Sequence, residues 1–143
     1  EYTTSGATVN ASLISGLDRP FGIAISGDDL FVVNRGDAPG TGTIGEYTTS
    51  GAVVNASLIS GLNLPYGLAV YGDDLFVANQ FNGTIGEYTT SGATIDASLI
   101  SGLHEPVDIA IGSAPEPSGV ALIGLGVAGL WFWRRVERES VRA

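Results

Sequence analysis

The sequence predicts an all-β fold, a partial β-propeller of four-stranded antiparallel blades, followed by one C-terminal transmembrane helix. Three observations support this prediction. The segment EYTTSGATVNASLISGL at 1–17 returns with few changes at 46–62 and 87–103. The copies begin at Glu1, Glu46 and Glu87, so their spacings of 45 and 41 residues match the period of propeller blades. An uncharged, largely apolar segment follows at 118–133.

Each complete repeat contains four short runs that are rich in β-branched and aromatic residues, which favours β-strands. In the first complete repeat the runs are 21–25, 30–34, 43–49 and 53–60. Gly-Asp-Asp and Ser-Gly sequences between them favour tight turns. The second repeat matches run for run, but its loop after Asn79 is four residues shorter than the loop after Asn34. Insertions are tolerated on the surface, so the longer loop is expected at one rim.

The repeats predict a domain over residues 1–112, with a partial blade at 1–17, blades at 18–62 and 63–103, and a last inner strand at 104–112. Two strands in 1–17, eight in the complete repeats and one at 106–112 make eleven, which is fewer than three blades. Closed propellers contain typically four to eight blades. The chain has no methionine and opens inside a repeat. We therefore expect further blades and a signal peptide upstream of Glu1.

The inner runs of each repeat are almost continuously apolar, as in Ile23-Ala24-Ile25 and in 30–33. A strand that is buried on both faces has this pattern, whereas a half-exposed strand alternates. We therefore expect neighbouring blades to cover both faces of these strands. The small residues Ala24 and Ala69 suit the crowded strand near the axis.

The motifs PFGIAI (20–25) and PYGLAV (65–70), each followed by Leu-Phe-Val-x-Asn and Gly-Thr-Ile-Gly-Glu-Tyr, resemble NHL-type propeller repeats. The resemblance covers residues 1–112, although Asn34 and Asn79 stand where the family usually has Asp. It implies a propeller fold. Some family members are lactonase-like enzymes that hold a metal in the central channel, but those ligands do not map onto this chain.

Composition excludes several kinds of site. There is no cysteine, so disulfides and thiolate metal sites are excluded. The chain has six arginines, no lysine and fifteen carboxylates, for a formal charge of -9. Nucleic acid requires a basic face, so no nucleic-acid partner is expected. With His104 as the only histidine, a Ser-His-Asp triad is not expected either.

After Gly112 a Pro-rich linker at 113–117 leads to a predicted helix and arginine-containing tail at 118–143. The apolar side chains of the predicted membrane anchor are Val120, Leu122, Ile123, Leu125, Val127, Leu130, Trp131, Phe132 and Trp133. The aliphatic residues and Phe132 favour insertion by roughly 2–4 kcal/mol. Sixteen helical residues span about 24 Å of the ~30 Å hydrocarbon core, and snorkelling by Arg134 and Arg135 offsets the shortfall. The alternative is a helix packed against the propeller.

Positive charge after the segment orients Arg134 and Arg135 to the cytoplasm and residues 1–117 to the outside. Together, Pro115-Glu116-Pro117, the apolar helix and the arginines resemble the PEP-CTERM sorting signal of Gram-negative bacteria. That resemblance implies a transient single pass through the inner membrane, processing by an exosortase-like enzyme, and delivery to the cell surface or extracellular matrix. The chain departs from the pattern because 136–143 continues past the arginines and includes Glu137 and Glu139.

Other candidate residues have simpler interpretations. The pairs Asp28-Asp29 and Asp73-Asp74 offer hard oxygen ligands for Ca²⁺, but turn chemistry already explains them. The amides of Asn34 and Asn79 either line a channel or cap loops, and capping is favoured. The repeated acids at Glu1, Glu46 and Glu87 are expected on exposed outer strands. Arg35-Gly36-Asp37 resembles an adhesive tripeptide but occurs once. Asn10, Asn55 and Asn82 fit the N-glycosylation pattern, which carries little weight in a bacterium.

Two functions are therefore compatible with the sequence. The first is an exported, non-catalytic binding or scaffold propeller with an extracellular polysaccharide or protein as ligand, and without catalytic, metal or cofactor residues. The second is a metal-dependent lactonase- or lyase-like enzyme whose catalytic residues lie in upstream blades. Uniform repeats favour the first, since a catalytic site needs asymmetry.

Overall fold

Eight β-strands lie in the two complete repeats, four in each. The computed structural model describes residues 1–112. The strands of the first repeat are β1 (Pro20–Ser26), β2 (Asp29–Asn34), β3 (Pro39–Thr48) and β4 (Val53–Asn63). Those of the second are β5 (Pro65–Tyr71), β6 (Asp74–Asn79), β7 (Thr84–Thr89) and β8 (Thr94–Ile100). The all-β prediction is confirmed for the described residues, which contain no helix.

Each repeat forms its own antiparallel sheet, in the orders β1-β2-β3-β4 and β5-β6-β7-β8. The inner three strands keep one register in both sheets. Phe31 lies opposite Glu46 in the first sheet, and Phe76 lies opposite Glu87 in the second. Sequential antiparallel strands need only tight turns, and the Gly-Asp and Ser-Gly sequences supply them. Both sheets belong to one compact unit, residues 1–111.

The prediction of strands in 1–17 and in 106–112 was wrong. Residues 1–17 contain one isolated bridge, between Tyr2 and Thr8, and 106–112 contain no strand. In the complete repeats the first and third strands both pair with the second strand. Neither terminal segment has such a second strand among the described residues, so its backbone lacks that ladder partner. Eight strands are therefore observed where eleven were predicted.

The main hydrophobic core lies between the two sheets, and residues from both contribute to it. Its buried side chains are Phe31, Val33, Ile44, Ile59 and Leu62 from the first sheet and Leu68, Leu75, Val77 and Tyr88 from the second. Burial of a large apolar side chain stabilises the fold by about 1.5–3 kcal/mol. The sheets are thus held face to face by side chains and not by shared strand pairing.

A second core repeats part of this arrangement at the start of the chain. Leu13, Ile14 and Leu17 pack against the buried cluster of Leu30, Val32 and Tyr47. These residues occupy the same repeat positions as Leu58, Ile59 and Leu62 packed against Leu75, Val77 and Tyr88. Residues 1–17 therefore pack as a preceding repeat does, although they are not strands.

Within residues 1–112, a neighbouring sheet covers β5, whereas one face of β1 is left uncovered. Ile23 and Ile25 are 61% and 63% exposed, whereas Leu68, which stands at the position of Ile23 in the next repeat, is 8% exposed. The first sheet covers Leu68, but no sheet precedes β1 in residues 1–112. The second strand does follow the expectation, since Leu30 to Asn34 are all buried.

The predicted C-terminal helix and all predicted anchor residues lie outside the described residues. Within residues 1–112, no helical segment meets the length and apolarity needed to span a bilayer. The closed ring of a propeller stays a prediction.

Candidate functional site

The first strands of successive repeats approach one another closely at two glycines. A Cβ on Gly22 would lie 2.6 Å from the carbonyl oxygen of Tyr66, and a Cβ on Gly67 would lie 2.6 Å from Cα of Asp108. Both distances are too short for a real side chain. Glycine at this position therefore lets β1, β5 and the segment around Asp108 lie side by side.

A cavity of about 320 Å³ opens where these three segments meet. It is lined by three residues of β1, three of β5 and two of the last segment: Phe21, Gly22, Ile23, Tyr66, Gly67, Leu68, Val107 and Asp108. This volume is near the lower end of the range for small-molecule pockets. Phe21 is 53% exposed, so its ring is accessible from solvent.

The side chain of Arg35 packs against the two aromatic rings that line the cavity. The rings of Phe21 and Tyr66 lie 4.3 Å apart between centroids, at an angle of 48°. The guanidinium carbon of Arg35 lies 5.1 Å from the Tyr66 centroid and 5.9 Å from the Phe21 centroid. Aromatic faces attract a cation at such distances. Nε of Arg35 is buried and has no hydrogen-bond partner among the described residues.

The longer loop of the first repeat carries Arg35 and is held in place by local contacts. Arg35 N–H donates to the carbonyl of Arg19 at 3.1 Å, and the Arg19 side chain pairs with Asp37 at 2.6 Å. The Thr41 hydroxyl accepts from the N–H of Ala38 at 3.2 Å and donates to the carbonyl of Ala38 at 2.8 Å, and the N–H of Thr41 donates to the same carbonyl at 3.1 Å. Asp37 thus pairs with Arg19 and not with Arg35. In the Arg35-Gly36-Asp37 tripeptide the arginine lies on the aromatic rings and the aspartate is paired, so the two charges are not both free to bind a partner.

Asp108 is the acidic member of the cavity. It is exposed, and its Oδ1 accepts a hydrogen bond from the N–H of Ile109 at 2.9 Å. Within residues 1–112 no ion pair involves Asp108 or Arg35. Asp108 in the cavity and Arg35 beside it therefore form no ion pair with each other.

The asparagines at the ends of the second strands act as caps, as the sequence favoured. Oδ1 of Asn34 accepts from the backbone N–H of Asp18, and Oδ1 of Asn79 accepts from that of Asn63, each at 3.2 Å. Both side chains are buried. Each asparagine thus fixes the segment that leads into the first strand of its own repeat.

The other candidate residues are not brought together into a site. Asp28 and Asp73 lie in the turns after the first strands, where their carbonyls accept from Thr49 and Thr90. The described residues contain no group of three or more acidic, histidine or cysteine side chains with metal-binding geometry. Asn10 and Asn55 accept from the N–H groups of Ser12 and Ser57, and Asn82 accepts from the Thr84 hydroxyl. His104 is exposed, away from any such group.

Glu46 is one of the three repeated acids, and its surroundings perturb its titration. Burial, and then the nearby charge of Asp29, raise the pKa of Glu46 above its ordinary value of 4.5. Glu46 lies in the third strand, opposite Phe31. It is not among the residues that line the cavity.

Sequence reasoning missed Asp108 entirely and considered Arg35 only as part of a tripeptide. A usable sign was present, since both residues depart from the repeat. Asp108 stands where the complete repeats have Gly22 and Gly67, and Arg35 stands where the second repeat has Gln80. Residues that depart from an otherwise uniform repeat are candidates for a functional role.

The C-terminal part of the chain matches a known family. Residues 113–136 match the model of the PEP-CTERM protein-sorting motif. This chain carries a PEP-CTERM sorting motif. The matched range contains Pro115-Glu116-Pro117 and Arg134-Arg135, and the motif implies processing by an exosortase-like enzyme, membrane transit and export to the cell surface. No curated protein matches the chain. The match does not extend into residues 1–112, so the NHL resemblance stays a prediction.

Proposed function

We propose that this protein is an exported β-propeller module that binds or scaffolds, without catalysis, at the cell surface or in the extracellular matrix. The PEP-CTERM motif at 113–136 carries the export part of the proposal. The motif's segment would cross the inner membrane once, with residues 1–117 outside, before an exosortase-like enzyme releases the protein.

The packing of the two sheets supports the propeller part. Blades of a propeller stack face to face with their first strands beside one another. Gly22 allows this close approach between β1 and β5, and Gly67 allows it between β5 and the segment around Asp108. The packing of the fourth strand is also repeated, because Gly51 lies against the carbonyl of Leu13 and Gly92 against that of Leu58. One stacking operation therefore relates successive repeats, and the repeats resemble NHL-type propeller repeats.

The exposed face of β1 supports a further blade. Ile23 is 61% exposed, but its counterpart Leu68 is covered by a preceding sheet and is 8% exposed. A blade before β1 would cover Ile23 in the same way. The metal-dependent lactonase or lyase has no supporting observation in residues 1–112 and stays an alternative prediction from the resemblance.

Export is tested by expressing the protein in a Gram-negative host that has an exosortase. We expect the unchanged protein at the cell surface in a shortened form. A variant in which Pro115, Glu116 and Pro117 are all alanine should stay unprocessed in the membrane fraction. Equal processing and surface exposure of both proteins would contradict sorting through this motif.

The propeller is tested by a matched pair of substitutions, Ile23→Asp and Leu68→Asp, in the protein at its native length. If a further blade covers β1, both substitutions bury a charge and abolish or strongly weaken folding. Loss of folding only with Leu68→Asp would show that β1 faces solvent and that no blade precedes it.

A further inference from the structure

We propose that the cavity between the first strands binds a carboxylate-bearing sugar ring, a uronic acid unit of an extracellular polysaccharide. This inference rests on the proposed function, because it names the ligand of the exported module. It is carried by four observations on the cavity and its neighbours.

The first observation is that the departures from the repeat converge on one place. The two complete repeats differ in length only in the loop that begins at Arg35. The only first-strand position where glycine is replaced is Asp108. Arg35 lies against the rings of Phe21 and Tyr66, and these rings and Asp108 line the same cavity. Packing explains the uniform positions, so the altered ones call for another explanation.

The second observation is the carboxylate of Asp108. The complete repeats have Gly22 and Gly67 at its position, and Asp108 is one of the residues that line the cavity. A carboxylate accepts hydrogen bonds from sugar hydroxyls.

The third observation is the unpaired cation. Arg35 forms no ion pair within residues 1–112, although the chain has a net charge of -9. The guanidinium of Arg35 lies over the rings of Phe21 and Tyr66. A guanidinium is suited to bidentate recognition of a carboxylate. Since residues 1–112 supply no carboxylate to Arg35, the ligand is expected to supply one.

The fourth observation is the accessible apolar surface. Phe21 is 53% exposed and lines the cavity. The C–H face of a sugar ring can lie on such a surface while its hydroxyls and carboxylate reach polar groups. A uronic acid therefore has one group for each feature: a carboxylate for Arg35, hydroxyls for Asp108 and an apolar face for Phe21.

The test uses the full chain in mild detergent with two probes, a tetrasaccharide of galacturonic acid and the neutral tetrasaccharide of galactose. Calorimetry should detect binding of the acidic probe and weaker or no binding of the neutral one. Arg35→Gln, which places the residue of the second repeat in the first, should lower affinity for the acidic probe by about tenfold or more. Asp108→Gly should lower affinity for it as well.

Arg138→Gln is the matched control, because it removes one positive charge outside residues 1–112. It should leave the affinity unchanged. Amide NMR shifts in the unmutated protein locate the site independently of any variant, and should cluster at 21–23, 66–68 and 107–108. Equal affinity for both probes would overturn recognition of the carboxylate. Absence of binding, or shifts elsewhere, would overturn the site, while surface export would still stand on its own test.

Discussion

The side-chain amide oxygen of Asn79 accepts a hydrogen bond from the backbone N–H of Asn63 at 3.2 Å. This bond joins the end of the second strand to the turn that begins the same repeat. Asn34 and Asp18 form its equivalent one repeat earlier, also at 3.2 Å. The asparagine thus links the second strand to the start of its own repeat, and its role is structural.

Asn79→Ala should destabilise the protein by about 1–3 kcal/mol, because Asn79 is 2% exposed and its loss leaves the N–H of Asn63 without its acceptor. Urea unfolding of the full chain followed by circular dichroism measures the change. Asn55→Ala is the control, since Asn55 is exposed and bonds only the nearby Ser57. Equal losses in the two variants would contradict a special role for the buried cap.

Gly22→Ala should cost about 1–3 kcal/mol, since its Cβ would meet the carbonyl of Tyr66, which belongs to the backbone and cannot move alone. Gly67→Ala should behave alike. The matched control is Gly112→Ala, because no atom lies within 4 Å of a Cβ at Gly112. Thermal unfolding separates these cases. Unchanged stability of Gly22→Ala would mean that the first strands are not in close contact.

Leu75→Ala should lose about 2–5 kcal/mol, because Leu75 is fully buried in the core between the sheets. Leu99→Ala, at a residue that is 44% exposed, should lose less than about 1 kcal/mol. Both values come from denaturant unfolding with circular dichroism. A comparable loss at Leu99 would indicate that another part of the protein covers the outer strand β8.

Glu46→Gln should make stability depend less on pH. The pKa of Glu46 is raised in the folded state, by burial and by Asp29, so ionisation of this carboxyl disfavours folding. The penalty is absent below pH 4.5, grows as the pH rises towards the folded pKa, and is complete above it. At pH 7 we expect the variant to melt at a higher temperature than the unchanged protein, with the difference vanishing near pH 4.

Glu87→Gln, at the equivalent position of the next repeat, corrects for the general effect of removing one carboxylate from an acidic protein. A gain at pH 7 that persists at pH 4, or an equal gain in the Glu87 variant, would argue against the stated cause.

The local structure could be predicted from the sequence. Strand runs such as 30–34 and turns such as Ser50-Gly51 depend on neighbours in the chain, and the second and fourth strands were located to within a few residues. The capping role of Asn34 and Asn79 also followed from their repeated place at a strand end. The sorting motif is read as a linear pattern, so its residues needed no structure.

Contacts between repeats could not be predicted in the same way. They depend on residues that are distant in the chain and packed together in space, whereas strands and turns depend on neighbours in the chain. Ile23 and Leu68 have the same local sequence, but only Leu68 has a sheet packed over it. The terminal segments keep strand-like sequences and yet form no strands, since the second strand that would pair with them is not there among residues 1–112.

The sequence by itself determined the repeated four-stranded unit, its turns and its export motif, since each is specified by residues close together in the chain. Only the tertiary structure placed Arg35 on the rings of Phe21 and Tyr66 and brought Asp108 to the same cavity. These residues come from three different repeats, and the close approach at Gly22 and Gly67 is what joins them.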